Sequence, residues 1–166
     1  MLPQDLFARY LERLSRLMAT IERHDTQGDG VLHASLAPDM FPLLTQARIT
    51  ANFVLRACCQ LAAVPVVSFD DTDDTFAGLE EQLRRSREYI VSLVIPGEPR
   101  ALPIGQDTAG DAAISLPMDE YVHAFALPNF FFHLSMVYAI ARAAGVPLGK
   151  ADFDGYHQYP PGFSFR

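Results

Sequence analysis

MDEYVHAFALPNFFFHLSMVYAIARAAGVP, residues 118–147, decides the fold, because Val122, Phe125, Phe132, Met136 and Ile140 recur at helical spacing over a span too long for a strand. Asp119 opens this helix, and Gly145 with Pro147 closes it. Asn129 and His133 stand one turn apart on its otherwise apolar inner face, so both side chains address one patch. A bare polar group there costs roughly 1–3 kcal/mol, so each needs a partner. His123 lies upstream with Pro128 in between, and proline has no N–H for the carbonyl of Ala124, so a kink is expected. Phe130, Phe131 and Phe132 go all the way round the helix. Such a helix needs protein inside it and a second subunit outside, which leads to the expectation of a homodimer.

Upstream, Leu6, Tyr10, Leu14, Leu17 and Ile21 form the apolar stripe of a first helix from Pro3 to about His24. Asp25 to Gly30, DTQGDG, reads as a surface turn, since it lacks the alternating ligands of a calcium loop. Asp39 is placed to cap a second helix with Pro42 in its first turn, running to about Ala63. Its stripe of Leu43, Gln46, Thr50, Phe53 and Ala57 sets a long amide, Gln46, on the inward line. Asp70 to Asp74 is read as acid at the start of a third helix, about Thr75 to Ile95, whose outer face pairs Arg84, Arg85 and Arg87 with Glu80, Glu81 and Glu88. Between Pro96 and Pro117, ALPIGQ and AAISLP flank DTAGD, which suggests a hairpin or an irregular excursion. The aromatic tail after Pro147 has no helical spacing and is expected to lie across the bundle as an extended arm.

The 166 residues suit a single domain, 1–166, and 49% hydrophobic with 20% charged residues is a globular composition. A net charge of -7 supplies no excess cations for a phosphate backbone, so no nucleic acid is expected. The adjacent Cys58 and Cys59 diverge on a helix and read as small core residues. No signal peptide is apparent, and His123, Asn129 and His133 interrupt the apolar fourth helix. The expectation is a cytoplasmic protein with no membrane partner.

LAPDMFPL at the second helix, HAFALPNFFFHLSMVYAIAR on the fourth and the VPLGKADF exit together resemble an uncharacterised family within the DinB/YfiT-like helical-bundle superfamily. The resemblance spans nearly the whole chain. It implies an all-α four-helix bundle, here with a small hairpin-like insertion before the last helix and an extended C-terminal arm. Relatives in the superfamily are commonly dimers, and many hold a divalent metal with three histidines. The matching positions in this chain are Gln46, Asn129 and His133, so amides replace two imidazoles. Amides are poor zinc or nickel ligands, which disfavours a metal cofactor on this set.

Three functions follow as expectations. The first is a bundle that binds an unknown small molecule between the second and fourth helices, with His133 as acid or base and Gln46, Asn129 and His123 as ligand-binding residues. The second is a non-catalytic dimeric bundle in which the same polar groups form a core network. The third is a divalent-metal enzyme with a degenerate triad, recruiting Asp39 or His157. His157, Tyr156 and Tyr159 are also able to join His123 if the tail folds back to the bend. Serine catalysis, a reactive cysteine and a phosphate loop lack their signatures: no GxSxG occurs, neither cysteine has a local activating cation, and Gly28 to Gly30 follows a helix.

Overall fold

The computed structural model describes residues 3–25, 28, 30–96, 104–160 and 163. Parts of three expected features therefore lie outside the described residues: 26, 27 and 29 of the surface turn, 97–103 of the segment that holds the hairpin, and 161, 162 and 164–166 of the tail.

Helix α1 (Pro3–His24) buries Phe7, Leu11, Leu14, Leu17, Met18 and Ile21. The inward stripe is thus rotated from the expected one at its N-terminal half, where Phe7 and Leu11 replace Leu6 and Tyr10. Tyr10 lies at the edge because its ring meets Phe131 and Phe153 edge-on or tilted. Helix α2 (Leu43–Leu61) begins without a side-chain cap; Pro42 holds the cap position and its carbonyl accepts from the Gln46 N–H. Asp39 does not cap it. The ring of Pro42 keeps Phe41 extended, so no helical turn can start as early as Asp39 requires. The helix closes two residues before Ala63, which takes a left-handed φ of 54° while the Val64 N–H returns to the Cys59 carbonyl.

Helix α3 (Phe76–Ser92) is capped by Thr75, whose hydroxyl accepts from the Gly78 N–H at 3.1 Å. The acidic run instead folds around Arg48 of α2. Its guanidinium pairs with the carboxylates of Asp70 and Asp74 and donates to the carbonyls of Asp71 and Asp73. A Cβ at Gly78 would stand 2.4 Å from the Asp73 carbonyl oxygen, so only glycine allows this loop so close to the helix. On the outer face Arg84 pairs with Glu81 and Glu88, as the mixed charges anticipated.

The hairpin forms from β1 (Ile104–Ala109) and β2 (Ala112–Pro117), antiparallel from Ile104 opposite Pro117 to Ala109 opposite Ala112. Gly110 turns it with a φ of 58°. The long helix α4 (Met118–Ala143) follows at once. Its residues Tyr121–Ala126 are π-helical, directly ahead of Pro128. The expected proline defect is taken up this way. The Leu127 N–H reaches back to Val122, and Pro128 falls in the first turn of the α-helical remainder, where an N–H is not needed. A short helix, α5 (Lys150–Asp154), interrupts the tail that was read as wholly extended. It closes on Gly155 in a left-handed conformation, and the arm docks on α1 through Phe153 against Tyr10 and Tyr156 against Arg9.

The core gathers side chains from all four long helices, and α2 runs along α4, with α3 on α1 and α2. Gln46 meets His133 and Phe53 meets Phe125, so α2 and α4 are antiparallel. By length and a mean hydropathy of 1.5, α4 is long and apolar enough to cross a membrane, despite its two histidines and asparagine. In the bundle its inner face buries Phe130, Leu134, Val137 and Ile140.

Candidate functional site between α2 and α4

Gln46 is 2% exposed on the inner face of α2, and His133 is half-buried on α4. They meet at 2.7 Å between Gln46 Oε1 and His133 Nδ1. Gln46 Nε2 donates to the Phe41 carbonyl at 3.3 Å. That bond orients the amide, so its oxygen faces the ring, and an oxygen can only accept. Nδ1 therefore carries the hydrogen, and Nε2 keeps its lone pair. Burial pushes the His133 pKa below the ordinary histidine value, so the ring is neutral at neutral pH. The ring lies nearly parallel to Phe53, with centroids 5.8 Å apart, and edge-on to Phe132 at 5.2 Å. Nε2 has no hydrogen-bond partner among the described residues and is not among the atoms sealed from solvent.

The expected convergence of three nitrogen-bearing groups thus reduces to two. Asn129 turns back along its own helix, where Nδ2 donates to the Phe125 carbonyl at 2.8 Å. That carbonyl belongs to the π-helical segment, and the amide supplies a donor where the local helix register changes. His123 is exposed, with Nδ1 against the Asp119 carbonyl at 2.9 Å and its carboxylate at 3.0 Å. It is not part of the inner patch. Nor does the docked tail bring His157 to it: His157 pairs with Asp154, and Tyr156 sits over Arg9 of α1.

Such a donor set does not fit a resident divalent cation. Gln46 Oε1 is engaged by an N–H, Asn129 is committed to a carbonyl, and one imidazole nitrogen remains. Asp39 lies exposed in the loop before α2, and no group of three or more His, Cys, Asp or Glu able to hold a metal occurs among the described residues. Two shallow grooves of about 220 and 180 Å³ are lined by α1 and α3, away from His133.

One polar cluster near this seam was not anticipated. Arg56 of α2 pairs with Asp107 of β1 and donates to the Thr108 carbonyl at 3.0 Å. Tyr121, fully buried, donates its hydroxyl to the other Asp107 oxygen at 2.7 Å. Gln60 accepts from the Gln106 N–H, and a Cβ at Gly105 would stand 2.4 Å from the Tyr121 ring. The hairpin is therefore clamped over one end of the α2–α4 seam. Arg56 also lies over the Phe53 ring at 4.7 Å, so the clamp and His133 share an aromatic neighbour. The available signal was a lone cation in ANFVLRACCQL, the most apolar stretch of α2.

A family model described as a domain of unknown function, DUF1993, matches residues 4–154. A solved structure of a DinB family member protein from Shewanella denitrificans superposes with a TM-score of 0.72 at 23% identity, covering 95% of this chain and 92% of that one. At that identity the likeness speaks for the helical-bundle fold alone. Among curated proteins none matches.

Proposed function

Because this chain belongs to the DUF1993 family, a domain of unknown function, we propose from its own geometry that it binds a small molecule between α2 and α4, at His133. The observation that carries this is the division of labour across one ring. Nδ1–H is tied to a buried amide, while the Nε2 lone pair of a neutral imidazole is left on the solvent side. A group held so can accept a hydrogen bond or a proton from a ligand without reorienting, and Gln46 supplies the restraint. Phe53 and Phe132 offer apolar walls. Asn129, whose amide donates to the Phe125 carbonyl, and the exposed His123 stand outside this pair.

Histidine-detected NMR of the full chain against a library of single-ring aromatic fragments tests this. Saturable shifts of the His133 ring signals, lost in His133→Phe, are expected. If no fragment moves those signals and His133→Ala mainly lowers stability, the bond is a core fastening and the binding proposal fails. That second reading is favoured by each polar atom of the Gln46 side chain having a protein partner.

A second copy of the chain is proposed as the cover of the outer face of α4. In its most apolar window only 33% of the residues are buried, and Phe132 is 53% exposed. Sedimentation equilibrium is expected to give a dimer that Phe132→Lys dissociates. A monomer that instead co-sediments with lipid vesicles would replace the second copy with a membrane surface.

A further inference from the structure

The seam between α2 and α3 carries buried polar groups that the protein's own side chains leave without partners. Gln82 and Ser86 lie one turn apart on α3 and are 2% and 0% exposed. Facing them, α2 carries Arg48 and Asn52, also one turn apart. The link between the two helices is long: Gln82 Nε2 reaches Asn52 Oδ1 at 3.5 Å. Arg48 grips the loop that enters α3. Among the described residues, the buried side-chain atoms without a hydrogen-bond partner are Arg48 Nε, Gln82 Oε1 and Ser86 Oγ, and all belong to this seam.

An unpaired buried donor or acceptor weakens folding by roughly five- to a hundred-fold in the equilibrium constant, so a concentration of them in one seam calls for a partner. Their chemistry defines it. Arg48 Nε–H needs an acceptor. Gln82 Oε1 needs a donor, because the other end of that amide is turned to Asn52. Ser86 serves in either sense. What fills the seam must therefore be able both to donate and to accept. It has no cause to be an anion, because Asp70 and Asp74 already meet the Arg48 charge. A cation would be repelled. We infer that internal water occupies the α2–α3 seam, partnering Arg48 Nε at the entry to α3 and linking Gln82 Oε1 with Ser86 Oγ one turn apart on α3, as a constitutive part of the fold. α2 thereby gains a solvent-mediated link to α3 beside the long Gln82–Asn52 bond, whereas Gln46 and His133 join it directly to α4.

Water–protein cross-relaxation NMR on the full chain, combined with urea titrations of Ser86→Ala, Gln82→Met and the double variant, tests this. Cross-peaks from water to the Arg48 Nε–H and the Gln82 amide protons are expected, with the sign of a long-lived bound molecule. Each single substitution is expected to lower the folding equilibrium constant by about five-fold. The double variant is expected to cost less than the product of the two, because one shared water is lost once. The inference is overturned if either substitution strengthens folding, if the two effects simply multiply, or if no water cross-peak reaches the Arg48 Nε–H.

Discussion

Exchanging Gln46 for Glu would put a carboxylate oxygen where Oε1 now accepts from His133 Nδ1 at 2.7 Å. With charge centres about 4 Å apart and an effective dielectric near 20, the attraction for an imidazolium is on the order of 4 kcal/mol. Gln46 is 2% exposed, so the carboxylate loses most of its hydration, a cost of several kcal/mol that offsets the gain in stability. The second carboxylate oxygen would also face the Phe41 carbonyl to which Nε2 now donates, so the variant is expected to lose about 1–3 kcal/mol of folding stability near neutral pH, whereas the direction of the ring's pKa shift reverses. In the native protein burial alone holds the His133 pKa below its ordinary value; in Gln46→Glu the new negative charge is expected to lift it above that value. The chain has 5 histidines, so ring NMR signals can be followed through a pH titration, with His133 assigned by its loss in His133→Phe. If the His133 midpoint in the variant stays at or below the native one, the ring is not held on residue 46, and the tautomer argued from that bond is wrong.

The depressed His133 pKa also makes stability depend on acid. The unfolded chain binds this proton more readily than the folded one, so the contribution is complete above pH about 6.5 and is lost as pH falls toward the folded-state value; urea midpoints of His133→Phe are expected to fall less steeply over that range than those of the native chain. Tyr121→Phe is expected to cost about 1–2 kcal/mol by leaving one Asp107 oxygen without its donor, and Asp107→Ala about 2–4 kcal/mol, because a buried hydroxyl and a partly exposed guanidinium both lose their acceptor. Hydrogen exchange in β1 and β2 should quicken in both variants, and a double-mutant cycle that adds without coupling would show that the clamp does not act as a unit. Cys58, whose thiol burial pushes up to about 12, should resist alkylation at pH 8 until urea unfolds the chain, and rapid labelling of the native protein would contradict its place in the core.

The helices were legible in the sequence, because apolar residues at periods of three and four mark an amphipathic helix, even where the buried face proves rotated, as at Phe7 and Leu11 of α1. Helix α1 and the hairpin turn at Gly110 appeared where the spacing and the glycine placed them. The ends were less legible. Thr75, rather than the acidic run before it, caps α3, and Pro42 displaced the start of α2, since caps depend on backbone angles that composition only hints at. The Gln46–His133 pair was visible as two polar residues on inward stripes.

Local sequence, then, determined the helical bundle and the two residues that meet between α2 and α4, because those follow from periodicity along one element, but it placed the inward faces only in part: α1 buries Phe7 and Leu11 rather than Leu6 and Tyr10, and Phe132 of α4 is largely exposed. Only the tertiary structure decided that Asn129 serves the π-helical turn, that His123 faces solvent, and that Arg56, Asp107 and Tyr121 clamp the hairpin. Each of those outcomes depends on where a separate segment, or a change of helix register, places a hydrogen-bond partner. A polar side chain carries its need for a partner in its own chemistry, but the identity of that partner is set by the packing of the whole chain.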